Sequence, residues 1–155
     1  MIAEIGQNYG PDRDKVFQLI AAAKSSGADA VKFQTRDPKN VYAPVKSPGG
    51  YFYPSDNPNW VNPVYGKHRE ALEFSRDEWK AIFDYCRDVG ITAFSTPFDP
   101  GSADLLASFD VPAFKIASGD ATNTPLMKHV AESQADLRRM AESGQLNQEY
   151  TDDEM

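Results

Sequence analysis

The chain has 155 residues, of which 41% are hydrophobic and 25% are charged, a composition typical of one soluble globular domain. Its formal net charge of -7 and its pI near 4.8 argue against binding to nucleic acid or anionic lipid, because the long-range field repels both. The single cysteine, Cys86, cannot form an internal disulfide, and there is neither a signal segment nor a long apolar stretch. We therefore expect a cytoplasmic protein that does not span a membrane.

Short apolar runs alternate with amphipathic stretches along the chain, which predicts consecutive βα units on a parallel sheet. Four strands are expected, over residues 2–6, 30–35, 92–96 and 113–117. Asp12 can cap the first helix, and Gly27 ends it. Ser75 and Glu78 form the sequence signature of a capping box at the start of the second helix. These signals predict an α/β fold with about four βα units.

The third and fourth units each place a capping residue before a proline at the first helical position. Asp99 precedes Pro100 in one, and Thr124 precedes Pro125 in the other. Beyond residue 132 the sequence becomes polar and ends in an acidic run. We therefore predict an α/β domain over residues 1–132 and a helical extension with an acidic tail over residues 133–155.

A long loop over residues 36–74 separates the second strand from the second helix. It carries six of the eleven prolines and many of the aromatic residues. Loops of this length are uncommon inside a compact domain unless they have a function or are disordered. Two interpretations stay open: a surface insertion whose aromatic side chains pack on one another, and a lid over a substrate.

Polar side chains stand in the predicted strands, where a parallel sheet covered on both faces should be apolar. They are Glu4, Lys32, Gln34, Thr92, Thr96 and Lys115. Because strand side chains alternate between faces, these groups can converge on one face near the carboxyl ends of the strands. A buried ammonium without a partner costs several kcal/mol, so Lys32 and Lys115 require counter-charges. Glu4 and an external anion are the candidates, and the pattern predicts an anion site.

Two further features stand outside the strands. Ser118 and Asp120, just past the fourth predicted strand, add a hydroxyl and a carboxylate at the same end of the sheet. This segment is interpreted equally well as part of an anion site or as a polar turn before the next helix. His68 and His129 are isolated and lack metal-binding spacing, so we predict no metal ligand in this chain.

Several motifs together resemble the N-acetylneuraminate (sialic acid) synthase family over about the first 132 residues. They are IAEIGQN at residues 2–8, GADAVKFQT at 27–35, FSTPFD at 94–99 and VPAFKIASGDATNTPL at 111–126. The resemblance implies a TIM (β/α)8 barrel, of which residues 1–132 form a partial barrel domain, the first half. It also implies condensation of phosphoenolpyruvate with an N-acylated amino sugar of the N-acetylmannosamine type, giving a nonulosonic acid and phosphate.

The same resemblance assigns roles to individual residues. Six positions are implied to bind substrate: Lys32, Gln34, Thr96, Phe98, Lys115 and Ser118. The two lysines and the serine correspond to positions that hold the phosphate and carboxylate of phosphoenolpyruvate, and the other three line the space for the sugar. Glu4 lines the same space, and with Asp120 it is a catalytic candidate. Asp120 stands where the family usually has glutamate, and Tyr9 stands where many relatives have histidine.

The family also implies a divalent metal, Mn2+ or Mg2+, whose histidine ligands are absent from this chain. We expect no activity from the isolated chain, and either self-association or a second chain that supplies the other half of the barrel. Two alternatives stay open. One is a noncatalytic module that binds phosphoenolpyruvate or a phosphorylated sugar, and the other is a truncated, inactive product that only self-associates.

Overall fold

The computed structural model describes the backbone of residues 1–143 and the side chains of residues 1–135. The elements in chain order are β1 (Ile2–Gly6), α1 (Lys15–Ser25), β2 (Ala30–Thr35), α2 (Pro38–Val41), α3 (Tyr65–Glu70), α4 (Arg76–Asp88), β3 (Thr92–Pro97), α5 (Pro100–Ala107), a 3₁₀ turn (Ser118–Asp120) and α6 (Thr124–Ser143). The predicted α/β fold is confirmed. Helix α6 runs across the boundary predicted at residue 132, and the acidic tail lies outside the described residues.

The described strands form one parallel sheet in the order β1-β2-β3. Lys32 lies opposite Glu4 on one side and opposite Phe94 on the other, so the central strand fixes the register of both neighbours. The register shifts between Glu4 and Gly6, where Gly6 adopts a positive φ of 54°. Glycine takes up this conformation without steric cost, which permits the irregularity at the end of β1.

The predicted fourth strand, residues 113–117, is wrong as an extended strand. Phe114 forms a single parallel bridge with Ser95, and the Lys115 amide donates to the Ser95 carbonyl at 3.1 Å. Pro112 lacks the N–H that a ladder needs, and the 3₁₀ turn begins at Ser118. Between these two residues only the bridge at Phe114 forms, so three of the four predicted strands form in the described residues.

The helix-capping predictions hold for α4 and α5. Ser75 Oγ accepts from the Glu78 amide at 3.3 Å, and Glu78 Oε2 accepts from the Ser75 amide at 2.6 Å. Asp99 Oδ1 accepts from the Ser102 amide at 2.9 Å. For α6 the cap differs from the prediction: Asn123 Oδ1, one residue before Thr124, accepts from the Leu126 amide. These caps satisfy backbone donors that a helix start otherwise leaves unpaired.

The main core lies between the sheet and helices α1 and α4. Helix α1 packs against β1 and β2, and helix α4 packs against β3. Its central side chains are fully or almost fully buried: Val16, Ile20, Val31, Phe33, Trp79, Ile82 and Phe83. The rings of Phe33 and Trp79 meet edge to face, with centroids 5.6 Å apart. A second cluster, Ala103, Leu126 and Val130, joins α5 to α6. With this face apolar, the opposite sheet face is left for the polar strand residues.

The long loop, residues 36–74, contains helices α2 and α3 and a set of packed aromatic rings. Tyr65 contacts the rings of Tyr42 and Trp60, with centroids 4.9 and 5.2 Å apart. Trp60 also stacks on the His68 ring at 5.0 Å. The mutual packing that a surface insertion predicts is therefore present. Within the described part of the chain, no helix combines the length and apolar character that crossing a membrane requires.

Candidate functional site at the carboxyl ends of the strands

Four polar strand residues share the sheet face that the core leaves uncovered. The register pairs Glu4 with Lys32 and Gln34 with Thr96 across neighbouring strands. Lys32 Nζ pairs with Glu4 Oε2 and donates to Thr96 Oγ1 at 3.4 Å. The Lys32 side chain is 12% exposed and that of Glu4 is 47% exposed. Glu4 is thus the counter-charge predicted for Lys32, and the Glu4 carboxylate retains contact with solvent.

Lys115 follows the isolated bridge beside β3. Phe114 packs against both apolar clusters. The Lys115 amide donates to the Ser95 carbonyl, so the Lys115 backbone lies beside β3, next to the residue that precedes Thr96. The Lys115 side chain is exposed, and its ammonium is in no ion pair with another residue that the structure describes.

Ser118 and Asp120 lie in the 3₁₀ turn after Lys115. Ser118 is exposed, and Asp120 Oδ1 accepts from Asn123 Nδ2 at 3.1 Å. Among the described side chains, no hydrogen bond or ion pair joins Asp120 to Glu4 or Lys32. The structure therefore brings Glu4, Lys32 and Thr96 into direct contact and leaves Asp120 in a separate local turn.

Arg36, directly after β2, is a residue that the sequence analysis missed. Its guanidinium donates to Gln34 Oε1 through Nη2 and to Tyr42 Oη through Nη1 at 2.9 Å. The same group lies over the Phe98 ring, 4.1 Å from its centroid. The Arg36 side chain is only 4% exposed, and its Nε lies 3.5 Å from Glu73 Oε1. Arg36 therefore contacts both Gln34 and Phe98, two of the residues expected to line the sugar space.

Glu73, at the end of the long loop, is the buried counter-charge of Arg36. Glu73 Oε1 accepts from Gln7 Nε2 at 2.6 Å, and Oε2 accepts from the Arg36 amide at 3.3 Å. Gln7 in turn accepts through Oε1 from Arg69 Nη1 at 2.7 Å. Burial raises the pKa of Glu73 to about 7, although the Arg36 charge acts to lower it. This network ties the loop to the ends of β1 and β2.

Tyr9 and Arg13 add two further ties between the loop and the segment after β1. Tyr9 Oη donates to the Leu72 carbonyl at 2.9 Å, and burial raises the pKa of the Tyr9 hydroxyl. Arg13 Nη2 donates to the Glu73 carbonyl at 2.8 Å. The signal that could have located Gln7 and Arg36 is their position, because each is the first residue after a strand, where α/β folds place functional groups.

The residues present do not fit a metal centre. No group of three or more histidine, cysteine, aspartate or glutamate side chains in the described part of the chain is placed to hold an ion. His68 Nδ1 accepts from the Val61 amide at 3.3 Å, and His129 Nε2 contacts Asp104 Oδ1 at 2.6 Å. Glu4 is already paired with Lys32.

The parallel sheet and the polar side chains near its carboxyl ends define an α/β protein with charged and amide groups at the ends of parallel strands. The model of the NeuB family matches residues 19–140, most of the chain. The chain therefore belongs to the NeuB family, and the resemblance to sialic acid synthases is confirmed.

Relatives in this family carry several synthase names. The chain is 33% identical over 132 residues to mouse N-acetylneuraminate-9-phosphate synthase, covering 85% of this chain and 36% of the relative. It is 36% identical over 137 residues to N,N'-diacetyllegionaminic acid synthase of Legionella pneumophila, covering 88% and 38%. The crystal structure of N-acetylneuraminic acid synthetase from Leptospira borgpetersenii, in complex with citrate, superposes with a TM-score of 0.67 at 26% identity. That match covers 85% of this chain and 40% of the Leptospira chain.

The coverage of these relatives is partial. This chain spans about a third of the length of the curated relatives that it matches, 36% of the mouse protein and 38% of the Legionella protein. The family match over residues 19–140 includes strands β2 and β3 and, on the polar face, Lys32, Gln34 and Thr96. What is known for the chain is therefore its family and this part of the fold.

Proposed function

We propose that the chain provides one part of a nonulosonic acid synthase, as the first half of a (β/α)8 barrel. The proposed reaction condenses phosphoenolpyruvate with an N-acylated amino sugar of the N-acetylmannosamine type and releases phosphate. Family membership supports this, as do the synthase names of relatives that make different nonulosonic acids. The single observation that carries the proposal is the contact of Lys32, on the polar face of the sheet, with Glu4 and Thr96.

The two lysines and Ser118 are the proposed ligands of phosphoenolpyruvate. Lys115 supplies an ammonium without a counter-ion among the described residues, and Lys32 supplies one whose partner Glu4 is half exposed. A phosphate or carboxylate can share these donors without loss of the Glu4 contact. Charge-assisted hydrogen bonds of this kind are worth about 1.5–3 kcal/mol each. The arrangement suits a small ligand that carries negative charge at both ends.

In the proposed chemistry, C3 of phosphoenolpyruvate attacks the aldehyde carbon of the open-chain sugar and forms a C–C bond. The C=O electron pair moves to the aldehyde oxygen, which takes a proton and becomes a hydroxyl, and a cation is left at C2. Water adds to C2 and loses one proton, which balances the proton taken by the aldehyde oxygen. The C2–O bond to phosphate then breaks, phosphate leaves with the electron pair and takes the second proton, and the keto group forms at C2. Glu4 is placed beside Lys32 on the open face, where a carboxylate can stabilise the cation or orient the water. Asp120 is the second proposed acid or base, and Gln34, Thr96 and Phe98 are proposed to line the sugar.

A complete site needs further barrel strands on the open side of this sheet. β1 has a free edge within the described sheet, and the polar face beside it is only partly covered. We propose that a second copy of the chain, or a chain bearing the remaining strands, covers this face. Unpaired sheet edges favour association of this kind.

The experiment that tests the proposal separates binding from turnover. The purified chain is titrated with phosphoenolpyruvate, and phosphate release is then followed after addition of N-acetylmannosamine and Mn2+. We expect binding, with a loss of about tenfold or more in Lys115→Met. The matched control Lys46→Met, another exposed lysine outside the ion pairs of the described residues, should bind as the parent does. Absence of binding by the parent chain would overturn the proposal.

A noncatalytic binding module is the second candidate. The observation that favours it is the absence of a metal-binding cluster among the described side chains. Under this alternative, the chain binds phosphoenolpyruvate but releases no phosphate, also when it is mixed with a protein that bears the remaining barrel strands. A truncated product that only self-associates would bind neither ligand.

A further inference from the structure

The contacts of Arg36 determine which way the amide of Gln34 faces. A guanidinium has donors only, so the atom of Gln34 that it contacts must be the amide oxygen. This leaves Nε2 as the end of the amide that is directed away from Arg36. Nε2 makes no hydrogen bond to the described residues, and it is not one of the buried polar atoms that lack a partner. Gln34 Nε2 is therefore accessible to solvent, and no described residue accepts a hydrogen bond from it.

Gln34 Nε2 lies close to Gly6, at the end of β1. A Cβ built on Gly6 would be 3.7 Å from Gln34 Nε2 and 3.2 Å from Glu4 Oε1. The Gln34 donors and the Glu4 carboxylate are thus both beside the end of β1. Phe98 is held at the same edge, with one face of its ring covered by the Arg36 guanidinium.

Arginine is suited to this arrangement because its planar group reaches several partners at once. Arg36 contacts Gln34, Tyr42 and the Phe98 ring while its Nε lies close to the Glu73 carboxylate. Lysine has one compact charge and cannot both stack on a ring and donate in a fixed plane. Glu73 balances the buried charge and is itself held by Gln7.

We propose that Arg36 is a positioning residue that fixes the Gln34 amide so that it offers N–H donors to the ligand. This inference rests on the proposed function, in which Gln34 lines the sugar space. The chemical consequence is a preference for an acceptor oxygen of the amino sugar at this point. Arg36 itself does not touch the ligand in this proposal.

The first test needs no ligand. In an 15N-labelled chain, the side-chain amide signal of Gln34 is identified by its loss in Gln34→Glu. We expect Arg36→Lys to shift and broaden this signal, because the amide is then free to rotate. The control Arg87→Lys, on the exposed surface of α4, should leave it unchanged. An unchanged Gln34 signal in Arg36→Lys would overturn the inference.

A second variant keeps the test decisive where Arg36→Lys does not fold. Tyr42→Phe removes one acceptor of the Arg36 guanidinium and leaves the arginine in place. We expect a smaller shift of the Gln34 amide signal in the same direction. No shift in this variant would contradict the inference as well.

The second test measures affinity for N-acetylmannosamine in the presence of phosphoenolpyruvate. Gln34→Glu keeps the contact with Arg36 but replaces the donors by acceptors, so we expect a loss of about tenfold or more. Its control is Gln18→Glu on the exposed side of α1. Unchanged sugar affinity in Gln34→Glu would overturn the donor orientation. Failure of the parent chain to bind phosphoenolpyruvate would overturn the proposed function, and the amide signal would still decide the role of Arg36.

Discussion

Two charged clusters at the same edge of the sheet differ in their access to solvent. The first, the sheet-face cluster, consists of Glu4, Lys32 and Thr96, and its carboxylate is 47% exposed. The second, the loop-anchor cluster, consists of Gln7, Arg36 and Glu73, with the arginine 4% and the glutamate 12% exposed. Both contain an ion pair. Only the first leaves charges available to an incoming ligand.

The difference in burial predicts which substitutions act on stability and which act on the proposed ligand binding. An exposed or half-exposed pair contributes little to folding, because water competes with each partner. A buried pair contributes little by its presence, but removal of one partner leaves a charge that neither water nor protein stabilises. Substitutions in the loop-anchor cluster should therefore act on stability, and those in the sheet-face cluster should act on ligand affinity.

The largest effect is expected for Arg36→Ala. It leaves Glu73 without its counter-charge and removes the group that covers the Phe98 ring. We expect a loss of about 3 kcal/mol in the free energy of unfolding, measured by urea denaturation at pH 8. Arg87→Ala, on the exposed face of α4, is the control and should cost less than about 1 kcal/mol. Equal costs for the two variants would mean that burial does not distinguish the clusters.

The second effect is a pH dependence that originates from Glu73. Burial raises the pKa of Glu73 from 4.5 to about 7. Between these two pH values the carboxyl is protonated in the folded state and ionised in the unfolded state. The contribution of Glu73 to the free energy of unfolding is therefore fully present below pH 4.5, and it is lost as the pH rises to about 7. The slope is at most about 1.4 kcal/mol per pH unit.

Glu73→Gln checks this slope because glutamine resembles the protonated acid and does not titrate. We expect the decline in stability between about pH 5 and 7 to become smaller in this variant. Glu132→Gln on the exposed face of α6 should keep the decline of the parent chain. A variant with the same slope as the parent would show that another group causes it.

The contacts of the sheet-face cluster could be predicted from the sequence, and those of the loop-anchor cluster could not, although Gln7 and Arg36 each directly follow a strand. Alternation with a period of two placed Glu4, Lys32 and Thr96 on one face, because strand geometry alone determines that result. Arg36 and Glu73 are 37 residues apart, and their contact depends on the path of the long loop. No local pattern encodes such a path.

The fourth strand shows a second limit of local patterns. The run around Phe114 has strand-like residues, but its pairing is restricted by Pro112 and by the turn at Ser118. The capping box of α4 and the proline start of α5 were predictable because each depends on three or four adjacent residues. Pairing partners lie far away in sequence, so the extent of a ladder is harder to predict.

A smaller effect is expected for Tyr9→Phe, which removes one tie between the loop and the segment after β1. The Leu72 carbonyl then loses its donor while the ring contact with Phe74 remains. We expect a loss of about 1 kcal/mol in the free energy of unfolding. The control Tyr85→Phe removes a hydroxyl that has no hydrogen bond to the described residues and should cost less. A reversed order would show that the Tyr9 hydroxyl does not anchor the loop.

The smallest effect on stability is expected for Lys32→Met, in the sheet-face cluster. Methionine keeps the length of the side chain, and water can solvate Glu4, so the cost should be at most about 1 kcal/mol. The same variant should lose about tenfold or more in phosphoenolpyruvate affinity, measured by titration calorimetry. The control Lys80→Met breaks the surface pair with Asp84 and should leave the affinity unchanged. A loss of several kcal/mol in stability with unchanged affinity would assign Lys32 to the framework, and the contrast between the two clusters would then fail.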